Sequence, residues 1–402
     1  MDHLRVAFVH SAFSERGGAE RLILELAKYV SKKSKVTLFV TYSRPEQSYP
    51  DLMRGLGIRE LVGLRTPRFE LASNVTLGLI LAKSIRRKLN EYDVVLSHQQ
   101  PAPWIACCSG RPYVVQIQSL LTKLYPEHFP YPEGFPHEKM IEKDYDRALI
   151  NLTGRLGGSA LLRIIDRLSM RDARKVLVQS RRLAEIAKDV YGVQPLRVRY
   201  GIDFADLTRV DPKPVFSKYA IERPLIFMAT RLIPSKGAGI AIEIMPRILR
   251  EHPSSTLVIA CPRGPYQSYY ELYARRLEVE NRTRIITVSS SELKALYSGA
   301  SVVCFPSCEP ENAPRAVAEA MHYGIPVVAW DNGWGGAEIM AESGGMLARP
   351  YEIDDFADKI LALLNNQEMR RMVGKRGQQF AATLSWDNVG PIFERILQEA
   401  AC

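Results

Sequence analysis

Short apolar runs alternate with longer amphipathic segments along the chain. Short runs rich in Val, Ile, Leu and Phe are typical of parallel strands that are buried on both faces. Such runs predict strands at 5–9, 35–40, 94–97, 113–117, 176–179, 225–229, 256–260, 284–288, 302–305 and 326–330. Segments with helical periodicity predict helices at about 20–31, 75–90, 161–172, 238–250 and 386–401, and one that ends at Tyr191. The alternation predicts an α/β protein with parallel sheets in doubly wound domains.

Length and composition narrow the class of protein. At 402 residues the chain is too long for one ordinary hydrophobic core, so two domains are expected. Its hydrophobic content of 46% and its charged content of 24% are those of a globular protein. Because no run of about 18 apolar residues occurs, no membrane-spanning helix is predicted.

The cysteines and the N-terminus favour a cytoplasmic location. The six cysteines form no Cys-x-x-Cys pair and no spacing typical of a disulfide framework or of a zinc site. The N-terminus leads directly into the first predicted strand, without the features of a secretory signal. We therefore expect reduced thiols in a cytoplasmic protein.

The excess of positive over negative charge is confined to the first half of the chain. Residues 1–200 hold 32 Lys and Arg against 20 Asp and Glu, whereas residues 201–402 hold 22 against 24. The excess concentrates at 83–88 and 155–199, where it is mixed with aliphatic residues. Such a face is typical of contact with anionic lipid at the inner side of a membrane or with a phosphorylated acceptor, and ordinary solvated helices are the alternative. No nucleic-acid partner is predicted, because no nucleic-acid-binding module is recognisable.

The most informative segment is 306–328, which reads PSCEPENAPRAVAEAMHYGIPVV and follows a predicted strand. A short helix is predicted around Glu319, and Gly324 ends it. Asn312 and Pro314 are good cap and first-turn residues, so a helix N-terminus is expected just past the strand end. Its free N–H groups and partial positive charge suit a diphosphate.

A second cluster lies upstream of this segment. The predicted strand 225–229 leads into the loop TRLIPSKG, which carries Arg231 and Lys236. Ligands of α/β sheets bind at such loops, which follow the carboxyl ends of strands. Fixed cations there would stabilise the negative charge of a departing diphosphate. Two solvated surface cations are the alternative interpretation.

Glu311 and Glu319 are separated by seven residues. This spacing, within the surrounding motif, resembles the Glu-x7-Glu signature of the retaining glycosyltransferase family 4, which has the GT-B fold. The resemblance implies two Rossmann-like domains that face each other across a cleft. It implies an N-terminal acceptor-binding domain at 1–202, completed by a C-terminal helix at about 386–402, and a nucleotide-sugar-binding domain at 203–385.

The resemblance also implies roles for individual residues. In the family the first acid contacts the donor sugar, which falls on Glu311 here, and the second binds the ribose hydroxyls, which falls on Glu319. Backbone amides after the first acid hold the diphosphate, a role that falls on Asn312, Ala313, Pro314 and Arg315. An Arg and a Lys five residues apart bind the donor phosphates, and Arg231 and Lys236 match them.

Two positions depart from the family pattern. The usual Gly-aromatic-Gly turn after the first acid is Asn-Ala-Pro here, and Pro314 has no N–H to donate. Gln118 stands where many members carry a His beside the reacting carbon. An amide can hydrogen-bond a sugar hydroxyl but cannot carry a proton. His98 and His128 are candidate catalytic replacements, and a structural role is the alternative for each.

The segment GGAER at 17–21 follows the first predicted strand. Glycines before a helix let a ligand approach the backbone closely. In the family a similar loop touches the donor phosphate or the acceptor, so Gly17 and Gly18 are predicted donor-binding residues. A plain turn, with Glu20 as a first-turn acid, is the alternative.

No metal ion and no cofactor are expected. Asp144 and Asp146 spell the Asp-x-Asp pattern of metal-dependent GT-A transferases, but they lie in a charged stretch and not at a predicted strand end. In GT-B enzymes cations and helix termini take the place of a metal. The expected ligand is a donor substrate, a GDP- or UDP-linked sugar.

The resemblance as a whole predicts a retaining, metal-independent hexosyltransferase. The GGAER segment is similar to that of α-mannosyltransferases that extend lipid-linked oligosaccharides. The predicted reaction moves a hexose, with mannose favoured, to a lipid-linked or other membrane-borne glycan acceptor. The alternative is a catalytically inactive nucleotide-sugar-binding or partner subunit with the same fold. The presence of Gln118 at the usual His position favours this alternative.

Overall fold

The computed structural model describes most of the chain in two compact units. The described residues are 4–13, 17–44, 46, 48–60, 82–98, 100, 102–118, 125, 159–262, 264, 266–308 and 312–402. Among them, unit 1 comprises the residues up to 125, then 159–203 and 384–402. Unit 2 comprises the described residues of 204–383. The predictions that concern Glu311, His128, Asp144 and Asp146 lie outside the described residues.

Unit 1 contains a parallel sheet. Its strands in the described ranges are β1 (Arg5–Phe13), β2 (Lys35–Ser43), β3 (Gly57–Glu60), β4 (Val94–His98), β5 (Tyr113–Gln116), β6 (Lys175–Val178) and β7 (Leu196–Arg197). Their order in the sheet is β3-β2-β1-β4-β5-β6-β7. The order reverses between β1 and β4, which makes this pair the topological switch point of the sheet.

Helices cover this sheet. They are α1 (Gly18–Val30), α2 (Pro50–Met53), α3 (Ala82–Leu89), α4 (Ala102–Cys108), α5 (Ser159–Arg171) and α6 (Arg181–Tyr191). Helix α4 packs between α3 and α5, which in turn contacts α6. The parallel sheet and its helices confirm the predicted α/β class.

Unit 2 contains a second parallel sheet. Its strands are β8 (Leu225–Ala229), β9 (Thr256–Ala260), β10 (Thr283–Ile286), β11 (Val302–Phe305), β12 (Val327–Trp330) and β13 (Met346–Ala348), in the order β10-β9-β8-β11-β12-β13. The order reverses between β8 and β11. The two predicted loops, with the cations and with the acidic motif, follow these two strands.

The helices of unit 2 alternate with its strands. They are α7 (Lys213–Tyr219), α8 (Ala238–Glu243), α9 (Met245–Glu251), α10 (Gln267–Arg276), α11 (Ser290–Gly299), α12 (Arg315–His322), α13 (Gly335–Ser343), α14 (Ile353–Asn365) and α15 (Gln367–Ala382). The single helix predicted at 238–250 is wrong, because α8 and α9 are separated at Ile244. Pro246 lacks an N–H and its ring crowds the carbonyl four residues earlier, so the helix restarts there.

The closing helix α16 (Trp386–Ala401) belongs to unit 1 and packs on α1. The indole N–H of Trp386 donates to the Glu25 carboxylate at 3.0 Å, and the Trp386 ring stacks on Tyr29. Glu25 also accepts the backbone N–H of Asp203 at 3.1 Å. One buried carboxylate therefore ties α1 to both segments through which the chain passes between the units.

All six cysteines lie in described ranges and are free thiols. Burial raises the pKa of the Cys261 thiol to about 11 and that of the Cys304 thiol further, so both are protonated at neutral pH. Within the described ranges, every helix is too short or too polar to cross a bilayer.

Candidate functional site

Two loops of unit 2 are held together at the switch point of its sheet. The loop after β8 contains Ser235, whose carbonyl oxygen accepts the backbone N–H of Cys308 at 2.8 Å from the loop after β11. Gly237 has φ +80°, and a Cβ there would overlap the carbonyl oxygen of Pro306. Only glycine satisfies both the left-handed backbone and this close approach. The structure thus brings the two predicted clusters into direct contact.

The strand beside them fixes the second loop further. The indole N–H of Trp330, at the end of β12, donates to the Pro306 carbonyl at 3.0 Å. The side-chain amide of Asn332 donates to the Ser307 carbonyl at 3.3 Å. Three neighbouring strand ends are therefore joined through main-chain carbonyl groups. These hydrogen bonds fix residues 306–308 against the loop after β8 and the end of β12.

The predicted cations lie on the first of these loops. Arg231 is exposed, and Lys236 is partly buried at the end of the short 3₁₀ turn Pro234–Lys236. Gly237 closes this turn, so the packing of Gly237 on Pro306 sets the position of the Lys236 backbone. The predicted role of Glu311 beside these cations stays a prediction, because Glu311 lies outside the described residues.

Helix α12 begins at Arg315, two residues later than a cap at Asn312 would place it. Pro314 has an extended backbone (φ −73°, ψ 116°) and is the N-cap, so it is not a first-turn residue. Asn312 is buried two positions earlier and is not the cap. Pro314 makes no side-chain capping hydrogen bond, and its carbonyl oxygen accepts the backbone N–H of Val317 at 3.2 Å. Ala313, between Asn312 and Pro314, is partly buried.

The side chains of α12 form a compact hydrogen-bonded group with α11. Arg315 donates from Nε to Oε1 of Glu319 at 2.8 Å, and the Tyr297 hydroxyl donates to Oε2 at 3.3 Å. The Arg315 and Glu319 side chains are 10% and 11% exposed. Burial, and secondarily the Glu319 charge, raises the pKa of Tyr297 well above its usual value, so the hydroxyl remains a donor.

These contacts leave the Glu319 carboxylate able to accept a further hydrogen bond. Each carboxylate oxygen can accept two hydrogen bonds, and one position on each is taken. The carboxylate is held in one orientation, and its exposed part can accept hydroxyl groups. Arg315 has other N–H groups besides Nε, so it can contact an anion while it holds Glu319.

In unit 1, three polar residues form a row across the carboxyl end of the sheet. His10 pairs in register with His98, and His98 with Gln116. Directly paired residues of parallel strands place their side chains on the same face. Their exposures are 0%, 0% and 1%. Sequence patterns did not single out His10 or Gln116, because the row exists only through the pairing of distant strands.

The contacts within this row define the protonation of both imidazoles. Nδ1 of His10 lies 3.0 Å from the His98 carbonyl oxygen, which can only accept, so this nitrogen carries a proton. The same nitrogen lies 3.2 Å from Nδ1 of His98, which therefore accepts. Burial, together with the charge of His10, lowers the pKa of His98 well below its usual value. His98 is thus a neutral residue that is buried in the core of unit 1 and is not exposed at its surface.

The other predicted residues of unit 1 lie around this row. Gln118 follows β5 by two residues and is partly exposed, and its amide nitrogen has no hydrogen-bond partner among the described residues. Gly17 and Gly18 begin α1, and the Gly17 carbonyl accepts the Tyr49 hydroxyl at 3.2 Å. Glu20, in the first turn, points its carboxylate back toward Gly17 and His10.

Two family models match the chain. The model for Glycosyltransferase Family 4 matches residues 16–203, and the model for Glycosyl transferases group 1 matches residues 214–380. The two matches follow one another along the chain and together cover the strands of both described sheets, except for β1. The boundary between them falls beside Asp203, where unit 1 passes into unit 2.

Individual relatives are similar over part of the chain. A D-inositol 3-phosphate glycosyltransferase from Kribbella flavida is 29% identical over 213 residues, 49% of this chain and 50% of that protein. A GDP-mannose-dependent alpha-(1-6)-phosphatidylinositol monomannoside mannosyltransferase from Mycobacterium tuberculosis is 27% identical over 202 residues, 47% of this chain and 52% of that protein. The chain thus spans about half the length of the curated relatives it matches.

Solved structures share the fold. Anabaena HepE in complex with UDP and glucose superposes with a TM-score of 0.77 at 20% identity, covering 98% of this chain and 100% of that one. At this identity the likeness concerns the fold alone. It confirms the predicted GT-B architecture, in which each of two domains has a Rossmann-like parallel sheet.

Proposed function

Because the chain belongs to glycosyltransferase family 4, we propose that it moves a hexose from a nucleotide diphosphate sugar to a lipid-linked or other membrane-borne glycan. We propose mannose as the hexose, with retention of configuration and without a metal ion. The mannosyltransferase from Mycobacterium tuberculosis supports the choice of sugar and of acceptor class. The donor base, guanine or uracil, is left to experiment.

The observation that carries the proposal is the joined pair of loops at the β8/β11 switch point. Lys236 and Arg231 are cations on a loop whose backbone is locked against Pro306 by Gly237. The start of α12 follows the second loop, with Asn312, Ala313 and Arg315 beside it. Fixed cations and the positive end of a helix dipole stabilise charge that develops on a departing diphosphate. In this proposal Glu311 orients the sugar ring and Glu319 binds the ribose hydroxyls.

The proposed reaction proceeds by attack from the same face of the sugar. The bond between the anomeric carbon and the phosphate oxygen breaks, and the leaving phosphate takes the proton of the attacking acceptor hydroxyl. This route needs no proton-carrying side chain at position 118, where Gln118 can donate a hydrogen bond to a sugar hydroxyl. It also needs none at His98, which is buried and neutral.

A panel of GDP- and UDP-sugars with the purified full chain tests the proposal. Release of nucleoside diphosphate should fall on the order of 10²-fold or more in Lys236→Ala, because a fixed charge at the leaving group is lost. Glu309→Ala, which removes a charge next to the proposed donor residues, should retain activity. Equal activity of Lys236→Ala and wild type would remove the phosphate role. Tight nucleotide binding without any transfer or hydrolysis would favour the inactive subunit.

We further propose that α5 contacts the anionic inner face of a membrane. Ile164 and Leu168 are 54% and 50% exposed on one stripe of α5, with Arg167 exposed between them. Helix α3 packs on the other side of α4 and adds the exposed Arg86 and Arg87. Exposed aliphatic side chains among cations match the composition of anionic lipid surfaces.

Vesicle flotation tests this contact. Binding should require anionic lipid, weaken as salt rises, and decrease in Ile164→Ser/Leu168→Ser. Met372→Ser, which removes an exposed apolar side chain of unit 2, is the matched control. Binding to neutral vesicles at high salt would contradict the proposal.

A further inference from the structure

The carboxyl-terminal end of α12 holds the first segment of unit 2. This segment, residues 204–209, follows Asp203, where the chain leaves unit 1, and it is neither helix nor strand. The His322 ring stacks on Phe204, with 4.5 Å between the ring centroids and 11° between the planes. Its Nε2 lies 3.1 Å from the Leu207 carbonyl oxygen, which can only accept, so this nitrogen donates. The last residue of the helix therefore contacts the segment through its ring and through a hydrogen bond.

The next residue, Tyr323, makes two further contacts with the same segment. Its hydroxyl donates to the Thr208 carbonyl at 3.1 Å, and its own carbonyl accepts the Arg209 guanidinium. Burial, and secondarily the charge of Glu319, raises the pKa of Tyr323 to about 12, so the hydroxyl keeps its proton at neutral pH. Two consecutive residues at the end of α12 thus fix the path of the backbone from Leu207 to Arg209.

The other end of α12 lies at the candidate donor site. Arg315 begins the helix, and Glu319 stands four residues before Tyr323, on the same side of the helix. The Tyr297 ring stacks on the Tyr323 ring with 5.3 Å between centroids, while the Tyr297 hydroxyl donates to Glu319. An α-helix of eight residues is a rigid element about 12 Å long. A ligand that fixes Glu319 therefore also restrains the turn that ends at Tyr323.

Helix α15 packs along α12 and holds the same end. The side-chain amide of Gln378 donates to the His322 carbonyl at 3.0 Å, and a Cβ at Gly374 would overlap the Gly324 carbonyl oxygen. After α15 the chain returns to unit 1 at Leu384. The end of α12 thus contacts the segment by which the chain enters unit 2 and the helix that precedes its return.

A segment without regular structure depends on such contacts for its order. When a ligand restrains the element that makes them, the segment becomes more ordered, and the coupling acts equally in the reverse direction. We propose that His322 and Tyr323 are positioning residues of the donor site, through which nucleotide binding at α12 orders segment 204–209. This inference rests on the proposed function, since its ligand is the nucleotide whose ribose Glu319 binds.

Hydrogen exchange of the full chain, measured by mass spectrometry with and without GDP or UDP, tests the proposal. With whichever nucleotide binds, exchange of the 204–209 amides should slow about fivefold or more, the lower end of typical coupling between sites. Tyr323→Phe removes the hydroxyl that donates to Thr208, and His322→Ala removes the ring that stacks on Phe204. In both variants the slowing should fall below about twofold, and nucleotide affinity should fall by up to the same factor, because coupling is reciprocal.

Ser298→Ala is the matched control. Its Oγ accepts the backbone N–H of Val210 at 3.0 Å, so it holds the same stretch of backbone from α11 instead of α12. The nucleotide should still slow exchange at 204–209 in this variant. If Ser298→Ala loses the slowing as Tyr323→Phe does, or if both α12 variants keep it, the route through α12 is wrong.

Titration of wild type with GDP and UDP separates this inference from the proposed function. If wild type binds neither nucleotide, the proposed function fails and the inference fails with it. If a nucleotide binds and exchange at 204–209 is unchanged, the inference alone fails and the proposed function stands.

Discussion

The two sheets offer different chemistry at equivalent places. Each reverses its strand order once, between β1 and β4 in unit 1 and between β8 and β11 in unit 2. In unit 1 the switch point holds the buried His10 and His98, with Glu20 above them. In unit 2 it carries Arg231 and Lys236. Topology sets where ligands bind, and the side chains decide which ligands they are.

The two places also differ in how they are held. In unit 2, main-chain carbonyl groups join the loops through the Cys308–Ser235 hydrogen bond and the Trp330 indole. In unit 1, side chains make the contacts, through the imidazole pair and the Glu20 carboxylate. A backbone-held site tolerates side-chain changes nearby but not added bulk at its glycine. A site held by side chains is sensitive to any single substitution that replaces a charged or hydrogen-bonding side chain by an uncharged one of the same size.

The largest effect is expected from Gly237→Ala, which breaks the rigidity of the unit 2 site. A methyl group would overlap the Pro306 carbonyl in a left-handed backbone, so the free energy of unfolding should fall by about 3 kcal/mol or more. Nucleotide binding should be lost with it. Chemical denaturation and nucleotide titration measure both effects.

Gly333→Ala is the control for that substitution. Gly333 also has a positive φ of 73°, but a Cβ there meets nothing within 4 Å. Only the cost of placing alanine in a left-handed backbone remains, so the free energy of unfolding should fall by about 1–2 kcal/mol. If the two alanine variants unfold alike, the packing of the loops contributes nothing and the contrast with unit 1 disappears.

An intermediate effect is expected from Glu319→Ala. This change leaves the buried Arg315 without its carboxylate, so the free energy of unfolding should fall by roughly 2–3 kcal/mol. Affinity for whichever of GDP and UDP the wild type binds should fall on the order of tenfold, since the proposed ribose contact is lost. Isothermal titration measures the affinity.

Tyr297→Phe separates the two consequences of that change. It removes one hydrogen bond to Glu319 and keeps the carboxylate, so it should cost about 1 kcal/mol of stability with little change in nucleotide affinity. A Glu319→Ala variant that is destabilised yet binds nucleotide like wild type would show that Glu319 serves the fold and not the ribose.

The smallest effect is expected at the amino ends of the strands of the unit 1 sheet. Arg5 donates to Asp93 at 2.7 Å, and this hydrogen bond lowers the pKa of Asp93. A lowered folded-state pKa stabilises the fold above the unfolded-state value, near 3.8, and the benefit is lost as pH falls through the lowered pKa. Both side chains are partly exposed, so Asp93→Asn should cost at most about 1 kcal/mol at neutral pH.

Denaturation of wild type and Asp93→Asn at several pH values checks this expectation. The difference in stability between them should begin to shrink near pH 3.8, where the Asp93 carboxylate of the unfolded state becomes protonated, and should be lost once pH falls below the lowered pKa of the folded state. Binding of sugar probes should be the same in both, because the pair lies at the amino ends of β1 and β4. Altered sugar binding would contradict the view that ligands bind at the carboxyl ends of the strands while contacts at the amino ends only stabilise the fold.

Local sequence was sufficient for most of the fold. Three strands and one helix lie at their predicted positions, because uninterrupted apolar runs and strong helical periodicity have few alternative structures. They are the strands at 225–229, 256–260 and 302–305 and the helix at 386–401. The strands β3, β7 and β13 were not predicted. They have two to four residues, too few to show a pattern, and form through pairing with neighbours.

The candidate site was predictable in part. Arg231 and Lys236 could be found because they stand on a loop that follows a strongly apolar strand. The contact of Gly237 with Pro306 could not, because these residues are far apart in sequence and meet through the β8–β11 pairing. Nor could the burial of His98, whose environment depends on its pairing with β1 and β5.

The sequence by itself determined the alternation of strands and helices, the α/β class and the kinds of side chain available at each strand end. These follow from the pleat of a strand and the turn of a helix, which act over a few residues. Only the tertiary structure decided which strand ends are neighbours, that the His10 ring contacts His98, and that Glu20 folds over Gly17. Such contacts depend on the register of strands and on close packing between segments distant along the chain, which no local periodicity encodes.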